Sequence, residues 1–214
     1  MDKVQIQTEI RTFNFDIKAE QNEQHGHFLT GVPILYEQEA EIYDPFIGPY
    51  IEKIARGALD HADLKDVRFL IGHNDKSIPL ARSRNNNEHS TMQMIVTEEG
   101  MQIRVDLDVE NNDDSRKLYS AVQRGDISGM SFSFVADLSK DLWEGDLENH
   151  PTRTIRDIKR VYEVSAVAFP AYPQTSLEAR SSDAALDSAR ASLDSAREQR
   201  AKEIAIQKLN QWRH

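Results

Sequence analysis

Three segments of this 214-residue chain carry side chains that could together perform acyl transfer: a histidine after a strand, a serine within one, and a carboxylate in an apolar run. The first is Val67-Arg68-Phe69-Leu70-Ile71-Gly72-His73-Asn74-Asp75, a short apolar strand running into a Gly-His turn that delivers an imidazole where the strand emerges toward solvent. The second is Gly125-Asp126-Ile127-Ser128-Gly129-Met130-Ser131-Phe132-Ser133-Phe134-Val135. Period-two geometry puts Ser131 and Ser133 on one face of that strand and Met130, Phe132 and Phe134 on the other. The third, Arg160 to Pro173, places Glu163 among apolar residues, where a buried carboxylate needs a partner that a histidine would supply.

Each segment has a plainer reading. Alternating serine and phenylalanine also describes an ordinary half-buried strand, and Glu163 could lie on a solvent face with no role. By position Ser128, Ser131 and Ser133 all compete as nucleophile. With no cysteine in the chain, disulfides, thiolate metal sites and cysteine nucleophiles are excluded. No cofactor, metal or nucleotide site is expected: His25 and His27 stand two apart in a polar loop and His150 precedes a proline, without the spacing of a ligand set.

The elements that must position these groups are mostly strands. In Met101 to Val109 every odd position is apolar and every even one polar, which predicts a strand with one face on a core. Val4 to Phe15, Phe28 to Tyr36, Met130 to Val135 and Val161 to Phe169 read as further strands. Helices are expected over Ile51 to Leu59 and over Asp113 to Arg124, the second with Asp113, Asp114 and Ser115 at its start and Gly125 as its stop. Arg82 to Thr91 and Ser139 to Pro151 read as surface loops. The expected fold class is mainly β with flanking helices (α+β), a closed or nearly closed β-structure with helices packed outside.

The composition changes near Ser181, which predicts a domain over 1–180 and a tail over 181–214. In the tail, Leu186-Asp187-Ser188-Ala189-Arg190 recurs seven residues later as Leu193 to Arg197, the mark of an amphipathic helix that could address a partner. The formal net charge of −10 argues against a general affinity for nucleic acid, whose backbone is bound by displacing counterions with Lys and Arg. No apolar run approaches membrane-spanning length and no signal peptide is recognisable, so a cytoplasmic protein with no membrane partner is expected.

Taken in order, these segments resemble the prohead (capsid-maturation) protease family of tailed bacteriophages. The resemblance is carried by Glu52-Lys53-Ile54-Ala55-Arg56-Gly57-Ala58-Leu59, by Gly72-His73-Asn74-Asp75, by Gly125 to Phe134, and by Glu163 to Ala171, and it spans roughly residues 5 to 175. It departs from the family pattern at Gly72, at Ala81 where Pro-Leu-Gly-Arg is usual, and at Leu59 where Phe is usual, changes that leave His73, Ser131 and Glu163 in place.

The resemblance implies a β-barrel with flanking helices like that of the herpesvirus capsid protease. It also implies a serine endopeptidase acting on the major capsid protein, on scaffold segments and on itself, in the host cytoplasm inside the assembling prohead. It selects Ser131 as nucleophile, with His73 as general base. Glu163 is the expected third member, Asp75 its competitor, and a second histidine fills that role in related viral enzymes. Arg153, Arg156 and Arg160 are candidates to assist an oxyanion hole. The alternative is a catalytically silent scaffold or assembly protein of the same fold.

Overall fold

The computed structural model describes residues 8–13, 17–45, 47–145 and 150–168. The expected tail helix and the boundary at residue 180 lie outside them. Along the chain run β1 (Glu9–Phe13), β2 (Lys18–Asn22), β3 (Gly26–Leu35), β4 (Ala40–Asp44), β5 (Gly48–Ile54), β6 (Asp66–Ile71), β7 (Ala81–Arg84), β8 (Met92–Val96), β9 (Gly100–Leu107), α1 (Asp113–Gln123), β10 (Gly129–Ala136), β11 (Leu142–Glu144), β12 (Thr152–Ile155) and β13 (Ile158–Val167).

The strands form three sheets, ordered β1-β10-β13-β6-β7, β11-β12-β5-β4 and β2-β3-β9-β8. The mainly β expectation holds, but no barrel closes among the described residues. One core joins the sheets, with Phe69, Phe132 and Val164 from the first, Ile54 and Ile155 from the second, and Met101 from the third.

β9 forms where the alternation predicts it, with Met101, Ile103, Val105 and Leu107 all buried. Gly100, at φ +151°, begins it because a Cβ there would lie 2.0 Å from the carbonyl oxygen of Ile34 on β3. α1 also forms as expected. Asn112 caps it, accepting from the N–H groups of Asp114 (2.9 Å) and Ser115 (3.1 Å), while Leu118 and Val122, one turn apart, enter the core.

The helix expected over Ile51 to Leu59 is absent. Its first half is strand β5, in which Tyr50, Glu52 and Ile54 are buried at every second position, and Gly57 at φ +78° then turns the chain. The isoleucines and Pro49 favour an extended chain once β4 and β12 pair with it on either side. α1 is therefore the one α-helix among the described residues. The two expected loops are shorter than anticipated. Ala81–Arg84 is a strand, and the turn after it holds Asn85 and Asn86 at φ 54° and 48°, a region that asparagine tolerates. β11 falls within the second loop and buries Trp143 against Tyr50 at 5.2 Å between ring centroids.

Candidate active site

β10 and β13 occupy the middle of the five-stranded sheet, and their antiparallel register decides which polar side chains meet. Ser131 stands opposite Ser165, and Ser133 opposite Glu163. Since side chains at i and i+2 share a face, Ser131, Ser133, Glu163 and Ser165 line one side of this strand pair, while Met130, Phe132 and Phe134 enter the core on the other. Both faces of β10 are covered, so it is not the half-buried strand its alternation would equally allow.

His73 arrives from the neighbouring strand. β6 runs parallel to β13, pairing Arg68 with Glu163 and Ile71 with Ala166, and the Gly72 N–H extends that contact to the Ala166 carbonyl at 3.0 Å. The chain then turns through Gly72 and His73 at φ 58° and 59°. Left-handed backbone is strained for a non-glycine residue, and its outcome here is to fold the imidazole back over β13. His73 Nδ1 lies 2.7 Å from Glu163 Oε1. Against a carboxylate oxygen Nδ1 is the protonated nitrogen, which leaves Nε2 as the acceptor. Nε2 is buried and has no hydrogen-bond partner.

Ser131 is fully buried. Its hydroxyl donates to the Arg11 carbonyl (2.8 Å) and accepts from Thr12 Oγ1 (2.9 Å), both on the edge strand β1. The hydroxyl is thus turned toward β1 and makes no hydrogen bond to His73. The structure brings His73 and Glu163 into contact and puts Ser131 on the same sheet face.

A family model for the caudovirus prohead serine protease matches residues 13–188. The chain belongs to that family. It is accordingly a protease with a role in phage capsid maturation. Among solved structures, that of the bacteriophage T4 capsid assembly protease, gp21, matches at 13% sequence identity over 75% of this chain and 97% of that one, with a TM-score of 0.42. No curated protein matches the chain in sequence.

The other expected site residues of the protease fall elsewhere. Asp75 is exposed, and its backbone N–H reaches the His73 carbonyl at 2.9 Å, whereas the imidazole is met by Glu163. Ser128 is exposed ahead of β10, and Ser133 is buried opposite Glu163. Arg156 is exposed, and the Arg160 guanidinium rests on the Tyr162 ring at 4.8 Å. His25 and His27 pack edge-on against Phe28 and Tyr119. Among the described residues no group of three or more metal-binding side chains is clustered.

Arg153 is committed to a second polar cluster that sequence reasoning missed. It bonds Asp141 (2.7 Å), Glu9 (2.6 Å) and Glu52 (2.9 Å), while Arg11 pairs with Glu52 and with Glu9 (2.6 Å), every member being buried. Burial alone would raise the pKa of Glu9, but Arg153 and Arg11 outweigh it and hold the carboxyl at about 2. Asp141 goes the other way: burial, reinforced by Glu9 and Glu52, outweighs Arg153 and pushes it up to about 7. Its Oδ1 has no partner, which a neutral carboxyl tolerates better than a charged one. Glu52 is the glutamate of the Glu-x-Ile motif, so that motif marks an ionic anchor for β1 and β5. The polar residues recurring at period two within apolar strands, Glu9 with Arg11 and Glu163 with Ser165, were the available signal.

Proposed function

We propose that this protease is a serine endopeptidase that cuts capsid and scaffold segments, and itself, within the assembling prohead, with Ser131 as nucleophile, His73 as general base and Glu163 as its orienting carboxylate. The observation that carries the reading is the 2.7 Å contact between His73 Nδ1 and Glu163 Oε1, which leaves Nε2 as a buried, unpartnered acceptor on the sheet face of Ser131.

In the reaction Ser131 Oγ leaves the Arg11 carbonyl, turns about its Cα–Cβ bond and gives its proton to His73 Nε2 while bonding to the scissile carbonyl carbon. Glu163 stabilises the imidazolium that forms. As the tetrahedral adduct collapses, the C–N bond breaks and Nε2 returns the proton to the leaving amine. A water molecule then attacks the acyl-serine by the same relay, releasing the carboxylate product and restoring the hydroxyl. With Arg153 held by three carboxylates, backbone N–H groups are the better source of oxyanion donors.

The tail over 181–214 is proposed as a targeting segment, on the strength of its seven-residue repeat. A chain ending at Ala179 should cleave in solution but enter proheads poorly; normal packaging would remove that idea. The catalytic reading is tested by treating the full chain with a fluorophosphonate and by coexpressing it with the major capsid protein. Labelling confined to Ser131, together with a new capsid-protein N-terminus that Ser131→Ala does not generate, is expected. Unchanged processing by Ser131→Ala would overturn it.

A further inference from the structure

Ser165 lies two residues beyond Glu163 on β13, so the two side chains rise from the same face, and it is fully buried. Its hydroxyl makes two contacts. It donates to Glu163 Oε2 at 2.6 Å and accepts from the backbone N–H of His73 at 3.0 Å. The carboxylate oxygen not held by Ser165 is the one that meets His73 Nδ1. One oxygen atom therefore references both halves of the imidazole–carboxylate pair.

A serine hydroxyl has one proton, and with a carboxylate oxygen within reach the charge-assisted bond fixes where that proton points. The lone pairs are then directed to the His73 N–H, which belongs to a residue held in left-handed backbone. We propose that Ser165 is a positioning residue for the reaction: by holding Glu163 Oε2 and the His73 backbone together, it sets the rotation of the carboxylate and the placement of the imidazole. The proposal rests on the roles assigned above to His73 and Glu163.

Without the hydroxyl, the Glu163 carboxylate loses one of its two donors and gains freedom to rotate, and the His73 N–H loses its acceptor. The Nδ1–Oε1 contact then becomes one arrangement among several. Since Ser165 is buried behind this pair, its loss should slow proton transfer without weakening binding. A hydroxyl that merely satisfied a buried N–H would change the melting temperature and leave both the chemical rate and the imidazole unaffected.

The test uses the full chain and its Ser165→Ala and Ser165→Thr variants, with fluorophosphonate inactivation of Ser131 as the kinetic readout. Ser165→Ala should lower the maximal inactivation rate about 10- to 100-fold, the range seen when the hydrogen-bond partner behind a metal-bound histidine is removed, with the half-saturating probe concentration unchanged. Ser165→Thr, which keeps the hydroxyl, should recover most of that rate. In parallel, nitrogen-15 NMR of the histidines reads the His73 Nδ1 proton, whose resonance should be lost to solvent exchange in Ser165→Ala and retained in wild type. A wild-type maximal rate together with a retained Nδ1 resonance in Ser165→Ala overturns the proposal. If Ser131 is not the labelled residue in the wild type, the catalytic reading fails instead, and the Nδ1 resonance still decides whether Ser165 orders the imidazole.

Discussion

Two buried polar clusters sit on opposite faces of the same pair of strands. On one face of β1 and β10, Glu9 and Arg11 stand opposite Phe134 and Phe132 and join Glu52, Asp141 and Arg153; on the other, Thr12 stands opposite Ser131, beside Ser165 and Glu163. The first cluster is built from full charges in mutual contact, with its excess of carboxyl over guanidinium relieved by the raised pKa of Asp141. The second is built from hydroxyls, one carboxylate and one imidazole, and it leaves Nε2, the atom that can take up a proton, unpartnered. Each cluster leaves one buried atom unpartnered, Asp141 Oδ1 in the first and His73 Nε2 in the second, but the first is otherwise closed by its own ion pairs, which hold β1 and β5 in place, whereas the second offers a basic nitrogen. Activity and stability should therefore come apart when the two are altered separately.

The largest effect is expected from Ser131→Ala and His73→Ala, each lowering kcat by about 10⁶-fold, as for members of a unit that act together. The melting temperature should move little. Peptide cleavage followed by mass spectrometry alongside thermal unfolding measures both, and activity lost with Ser133→Ala or Ser128→Ala instead would relocate the nucleophile.

Glu163→Gln should cost less, about 10⁴-fold in kcat, since the proposed nucleophile and base remain. Asp75→Asn, altering an exposed carboxylate with no contact to the ring, should stay near wild type. The reverse ranking would transfer the orienting role to Asp75.

The ionic cluster should answer in stability. Arg153→Ala leaves Glu9 and Glu52 without one of their two cations, and breaking a buried pair in this way costs about 3–5 kcal/mol. The melting temperature should fall by on the order of 10 °C, with kcat/KM per folded molecule unchanged. A comparable loss of kcat/KM at full folding would show that the anchor of β1 is coupled to the chemistry.

Asp141→Asn should give the smallest change, and a pH-dependent one. Folded Asp141 titrates near 7 against an ordinary value of 3.8, so between those limits the folded state holds a proton that the unfolded state has released. Stability from this group is present below about pH 4 and is lost as pH rises toward 7. Asparagine has no such proton, so the variant's melting temperature relative to wild type should improve across that window and level off above it. A difference independent of pH would mean that Asp141 is ionised in the folded protein throughout.

Local pattern carried much of this into the sequence. The alternation in β9 and the cap and stop around α1 are decided by near neighbours, and both elements formed as expected. β5 was misread because Glu52 and Ile54 fit a helical face as readily as a strand, and only pairing with β4 and β12 settles the choice. The pairing of Glu163 with a histidine was legible as a need, since a carboxylate in an apolar strand must find a partner. Arg153 was misjudged for the same reason in reverse: its three buried carboxylates come from Glu9, Glu52 and Asp141, far from it and from one another in the chain or on other strands.

By itself the sequence determined which side chains share a strand face: Ser131 with Ser133, Glu163 with Ser165, Glu9 with Arg11. That follows from the two-residue period of an extended chain and needs no partner. Only the tertiary structure decided which faces meet. The β10–β13 register puts Ser131 opposite Ser165, and the parallel pairing of β6 with β13 carries His73 to a glutamate 90 residues away. A slip of one residue in either pairing would turn every side chain to the other face, and that register is held by the packing of the whole sheet and its core rather than by the residues of the site.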